Sequence, residues 1–149
     1  MFDTSKVGQS FPPFTIEVER GKIRELALAI GDTNPIYQSK EAAQAAGYRD
    51  VPLYPTSPTT FAFWGNRQMV SQLSSLGINL MRVLHGEEEY EYLAPIYPGD
   101  TLTGVMKLVD AKTRQTQGAT LDILTIEIDY TNQHDALVLK ARQVAIVRE

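Results

Sequence analysis

The stretch ATLDILTIEIDYTN, residues 119–132, decides how this chain folds. Within it Leu124, Ile126, Ile128 and Tyr130 alternate with Thr125, Glu127 and Asp129. Successive side chains of a strand point to opposite faces, so the pattern predicts a half-buried antiparallel strand. Three more strand-like runs surround it: RVLHGEEEYEYLAP (82–95), TLTGVMKLVDAKTR (101–114) and ALVLKARQVAIVRE (136–149). PIYPGD, QTQG and TNQHD separate the four runs, and each is rich in turn formers.

Upstream the periodicity changes. An extended run, FTIEVE (14–19), is followed by Ile23, Leu26, Ala27 and Ile30, the stripe of a short amphipathic helix. Gly31 stands where a helix ends in a left-handed residue. Ser39 can cap a second short helix, KEAAQAA, which Gly47 ends. YRDVPLYPTSP (48–58) carries three prolines and reads as loop. Ser57-Pro58 reads as cap and first residue of a third helix bearing Phe61, Phe63, Trp64, Met69, Leu73 and Leu76. That helix is the most aromatic in the chain and is expected to be buried. One strand, helices, then four consecutive strands predict an α+β domain, an antiparallel sheet with a helix on one face.

Composition narrows the function. A chain of 149 residues with 43% hydrophobic and 21% charged residues is expected to form a single domain over 1–149. The net charge of −4 gives no attraction to nucleic acid or anionic lipid. Without cysteine there is no disulfide and no thiol nucleophile, and two histidines make a histidine-rich metal site unexpected. No cofactor is expected. MFDTSKVGQS does not read as a signal peptide, and no apolar run approaches the roughly 20 residues of a membrane span. A cytoplasmic protein is the expectation.

AIGDTNPIYQS (29–39) holds more polar chemistry than a turn needs. Gly and Asn-Pro suffice to reverse the chain, yet Asp32 and Tyr37 flank them. Together with VPLYPTSPTTF and LHGEEEYEYLAPIYPGDTLTG, this stretch resembles three blocks of the MaoC-like dehydratase family, in particular the N-terminal-type MaoC domain of fatty-acid-synthase-like dehydratases. The family blocks are Gly-Asp-x-Asn-Pro-(Ile/Leu)-His, an apolar-Pro-Pro-Thr-Phe start to a central helix, and Pro-x-x-x-Gly-Asp-x-Leu. The resemblance runs from about residue 8 to the C-terminus.

It implies a hot-dog fold, a five-stranded antiparallel sheet wrapped on a central helix. It also implies reversible addition of water to a 2-enoyl thioester, giving the (3R)-hydroxyacyl product, on acyl-CoA or acyl carrier protein. The chemistry needs a carboxylate to position water, a group that moves the α-proton, and donors for the enolate-like thioester oxygen. By resemblance Asp32 is the carboxylate, Asn34 the motif Asn, and Thr59 and Thr60 mark the expected oxyanion donors. His85 is a candidate to reach the pocket. Tyr37 stands where the family carries His. Imidazole exchanges protons near its unperturbed pKa of about 6.5. A phenol, at about 10, donates a hydrogen bond but is a poor base.

Each residue also has a structural reading. Asp32 could serve only its turn, Tyr37 could be a packed turn tyrosine, and His85 could be a structural histidine. His134 and Asp100 read as turn residues, Glu87-Glu88-Glu89 as a solvated face, and Phe61, Phe63 and Trp64 as core and dimer packing. Three functions therefore stand open. The leading one is an enoyl-thioester hydratase or 3-hydroxyacyl dehydratase. The second is a non-catalytic hot-dog subunit beside an active MaoC partner. The third, disfavoured by the GDxNP stretch, is an acyl-CoA thioesterase. A homodimer, or a heterodimer with another hot-dog chain, is expected.

Overall fold

The computed structural model describes residues 1–148; Glu149, the end of the fourth strand-like run, lies outside them. The alternation around residue 124 becomes a long strand, and its neighbours follow. Strand β1 spans Phe14–Glu17, β2 Val83–Tyr92, β3 Thr101–Thr116, β4 Ala119–Thr131 and β5 Leu137–Arg148. They form one five-stranded sheet in the order β1-β3-β4-β5-β2, with every pairing antiparallel. Leu124, Ile126, Ile128 and Tyr130 are buried as their spacing requires, while Glu127 and Asp129 are exposed. Thr125 departs from strict alternation and is also buried.

Short helices cross the sheet's apolar face. Helix α1 covers Arg20–Ala29 and buries Ile23 and Ala27. Helix α2 covers Lys40–Ala45, capped as expected by the Ser39 hydroxyl, which accepts from the Ala42 N–H at 3.1 Å. The expected third helix is not continuous. It consists of a single turn, α3 (Pro58–Thr60), a π-helical turn (Phe61–Gly65), and a separate helix α4 (Met69–Ser75).

Local causes for the breaks are visible. The Thr60 hydroxyl donates to the Ser57 carbonyl at 2.6 Å, competing with the helix ladder. Asn66 leaves helical space with φ −91° and ψ 85°. Its side chain then accepts from the Gln68 N–H at 3.1 Å and donates to Gln72 at 2.7 Å. Gly65 also lies so close to the Ile16 side chain that no Cβ would fit. Ser57 precedes the first turn, but its side chain does not cap it.

The segmented helix is only partly buried. Ala62, Met69, Leu73 and Leu76 join the core with Leu124, Ile126 and Ile128. Phe61 packs edge-on against Tyr130, ring centroids 5.8 Å apart, and Phe14 does the same at 5.9 Å. Phe63 and Trp64, read as core and dimer packing, lie outside the core of the single chain, 65% and 82% exposed. Both belong to the π-helical turn, whose Ala62 is buried. No described helix is long and apolar enough to cross a membrane.

Candidate active site

The polar loop after α1 is built by its own sequence. Gly31 adopts φ +77°, which reverses the chain at low steric cost. The Asp32 N–H then donates to the Ala27 carbonyl at 2.8 Å. Asp32 Oδ1 accepts from the Asn34 N–H at 2.8 Å, and Asn34 Oδ1 accepts from the Ile36 N–H at 3.2 Å. Those two side-chain turns launch a 3₁₀ turn, Pro35–Tyr37, with Pro35 at its first position.

A residue from far along the chain completes the group. The Tyr54 hydroxyl donates to Asp32 Oδ2 at 3.1 Å. The Tyr37 ring packs against the Tyr54 ring, centroids 4.7 Å apart at 56°. Both phenols are raised above their ordinary pKa. For Tyr37 the causes are burial, then the charges of Tyr54 and Asp32; for Tyr54 they are burial, then its bond to Asp32. The direction matters. Tyr37 sits beside a carboxylate that disfavours a second negative charge, so it is further from acting as a base than a free phenol. Sequence reasoning missed Tyr54, although it lies in the VPLYPTSPTTF block that carried part of the resemblance.

Thr59 and Thr60 mark the helix start, where oxyanion donors are expected. Here the backbone N–H groups are already engaged. Ser57 donates to Tyr54 at 2.8 Å, Thr59 to Thr56 at 3.3 Å and Thr60 to Ser57 at 2.9 Å. The Phe61 N–H donates to the Pro58 carbonyl, and Pro58 has none of its own. The two threonines also face different spaces. Thr60 lines a cleft of about 330 Å³ with Ile16, Leu53, Phe61 and Trp64. Thr59 lines another, of about 520 Å³, with Phe63, Leu73, His85 and Gln143. Asp32 and Tyr37 line neither.

A row of side chains on β2 leads from one place to the other. The Tyr92 hydroxyl donates to the Pro55 carbonyl at 2.8 Å, and its phenol is raised by burial and by neighbouring Tyr37. Tyr90 lies beside Thr59 and Glu88, and burial and the Glu88 carboxylate push its phenol up strongly. Glu88 Oε1 accepts from Gln143 at 2.8 Å, and its other oxygen lies 3.5 Å from His85 Nε2. Glu88 therefore does not belong to the solvated face its acidic neighbours suggested. A register shift between His85 and Glu87 in the β2–β5 pairing inserts a residue, which brings positions 85 and 88 together. His85 lies beside Glu88 and lines the same cleft as Thr59, a cleft that Asp32 does not line.

The comparisons with known proteins agree with this architecture. Residues 5–141 match the family described as "FAS1-like, dehydratase domain region". A UPF0336 protein of Saccharopolyspora erythraea is 36% identical over 147 residues, 98% of this chain and 91% of that protein. Among solved structures, a chain of the C-terminally truncated HadBC (3R-hydroxyacyl-ACP dehydratase) complex of Mycobacterium tuberculosis superposes with TM-score 0.79. It is 23% identical, and the match covers 95% of this chain and 96% of that one. A MaoC-like dehydratase is 27% identical with TM-score 0.79, covering 96% of this chain and 42% of the other. An α+β hot-dog chain with these matches belongs to the FAS1-like dehydratase-region family, among the UPF0336 proteins.

Proposed function

We propose that this chain is the acyl-thioester-binding subunit of a (3R)-hydroxyacyl-thioester dehydratase, equivalently an enoyl-thioester hydratase, and that a second hot-dog chain supplies the proton-transferring imidazole. One observation carries the reading. The motif position that holds the family's His holds Tyr37, and burial and the Asp32 charge raise that phenol further from neutral. A group that must give or take a proton near pH 7 needs a pKa near that value. The engaged N–H groups of Thr59 and Thr60 support the same conclusion, since an oxyanion needs donors that are free to turn toward it.

The surface favours a partner. Among the described residues β2 is an edge strand that pairs with β5 alone. Leu84 on it and Phe63, Trp64 and Val70 near the segmented helix are each more than half exposed. An uncovered edge beside apolar side chains invites pairing with another chain. The likeness to a chain of the HadBC complex supports a hot-dog partner. A self-sufficient hydratase is the second reading, favoured by the Tyr54–Asp32 hydrogen bond, which could orient a water.

The test is an assay of the pure protein with crotonyl-CoA and a longer enoyl-CoA, following loss of the conjugated thioester absorbance. Saturable acyl-thioester binding without turnover is the expected result. Turnover by the isolated chain would reject the partner reading in favour of the self-sufficient one.

A further inference from the structure

The charges along the unpaired edge of β2 are sorted by sign. At its start, Arg82 and Arg148 line one open surface cleft with Met81, Val83 and Leu84. Val83 pairs with Val147, so the two arginines are neighbours at this end of the edge. In the second half of the strand Glu87, Glu89 and Glu91 are exposed, while Glu88 and Tyr90 between them are half-buried. They pair with Val144, Arg142 and Lys140 on β5, two residues apart each time, so the three carboxylates share one face. Glu89 lies 3.5 Å from Arg142. Among the described residues Arg82, Arg148, Glu87 and Glu91 take part in no ion pair.

Charges on an edge strand block indiscriminate pairing. Signs sorted in this way block most alignments of two copies and leave one open. A copy laid parallel and in register sets Arg82 against Arg82 and carboxylate against carboxylate. An antiparallel copy centred on Glu89 again sets carboxylate against carboxylate. A two-fold axis near Gly86, at the register shift between His85 and Glu87, does the opposite. It lays Arg82 of each copy across from Glu89 and Glu91 of the other. Opposite charges facing each other across two strands attract, and like charges repel. The symmetry makes every such contact twice. Leu84, 61% exposed, lies within the same overlap, so an apolar side chain is covered as well.

We propose that the β2 edge docks a second copy of this chain, antiparallel about an axis near Gly86, with Arg82 facing Glu89 and Glu91 to set the register. The inference goes beyond the thioester-binding role proposed above and does not depend on it. A different hot-dog chain that replaces one copy has to present the same order, cations first and carboxylates after.

The test is sedimentation of the whole protein and of three variants, Arg82→Glu, Glu91→Arg and the double swap, with melting curves to confirm folding. The wild type is expected to dimerise at micromolar concentration. Each single reversal turns two attractive contacts into repulsive ones and should weaken the dimer about tenfold or more. The double swap restores opposite charges between copies and should recover most of that loss. An equimolar mixture of the two single variants should form a mixed dimer tighter than either makes alone. Arg82 and Glu91 of one chain are about 30 Å apart along the strand, so such a rescue acts between chains. A monomeric wild type, single variants that dimerise as well as the wild type, or a double swap no tighter than the single variants overturns the proposal. Where a reversal unfolds the chain, the wild type itself gives the answer. Raising salt from about 0.05 to 0.5 M should weaken its dimer several-fold by screening these exposed pairs, and an unchanged or tighter dimer overturns the proposal.

Discussion

Tyr37→His separates a missing proton shuttle from a wider loss of the site. The substitution restores the family residue beside Asp32, Asn34 and Pro35, which already match the motif. Tyr37 is half-buried against Tyr54 at 4.7 Å, so losing that ring pair should cost roughly 0.5–1.5 kcal/mol and leave the fold in place. A positioned acid–base group contributes about 10²–10⁴ in rate. An oxyanion donor contributes about 10²–10³. In this chain the N–H groups of Thr59 and Thr60 are held by Thr56 and Ser57, so the second factor remains absent when the first is restored. The isolated variant is therefore expected to stay at least about 100-fold slower than a complete site of this type. The assay is hydration of crotonyl-CoA and a longer enoyl-CoA, with a melting curve to confirm folding. Robust hydratase activity in Tyr37→His alone, with a pH profile turning near an imidazole pKa of about 6.5, would refute the reasoning. It would mean that the helix start can still offer its donors.

Four further outcomes are expected. Asp32→Asn keeps one acceptor where Asp32 uses two, for Asn34 and Tyr54, so stability should fall by about 0.5–1.5 kcal/mol in denaturant melts. In an assembled complex with an active partner its turnover should change only a few-fold, and a drop of about 10² or more would make Asp32 catalytic. Arg20 holds the Asp50 carboxyl down at about 2 through a hydrogen bond, helped by the Val51 N–H and Lys40. A depressed acid stabilises the fold above its unfolded pKa of about 3.9, and that contribution is lost as pH falls toward about 2; Asp50→Asn should flatten acid melts across that window. At Gly104 an added Cβ would lie 2.5 Å from Phe14 and 2.9 Å from Tyr130, so Gly104→Ala should lower stability by about 1–3 kcal/mol in thermal melts. Light scattering at micromolar concentration should show at least a dimer, and a monodisperse monomer would contradict the partner surface.

What could be read directly is what depends on neighbours in the chain. Alternation at Leu124–Tyr130 predicts a strand because burial of one sheet face selects every second residue. The Gly31 reversal, the Asn34 turn and the Ser39 cap were legible because each is a bond or a φ angle within a few residues. The resemblance then placed those elements in a known order.

Other features required the tertiary structure because they join residues far apart or depend on register. Tyr54 reaches Asp32 across 22 positions, and no local pattern names that partner. The Glu87–Glu89 run read as a wet face, but the shifted pairing at Gly86 turns Glu88 toward Gln143 and His85, since one inserted residue exchanges the faces of a strand. The third helix had a continuous apolar pattern. It breaks because Ile16 closes on Gly65 and Asn66 bonds Gln72, and both contacts exist only once the helix meets the sheet and its own next turn. The sequence determined the elements and the identity of the motif. Packing decided that Tyr37 is a raised phenol, that the helix-start donors are engaged, and that Glu88 is held by Gln143 beside His85, because burial and distance set those properties.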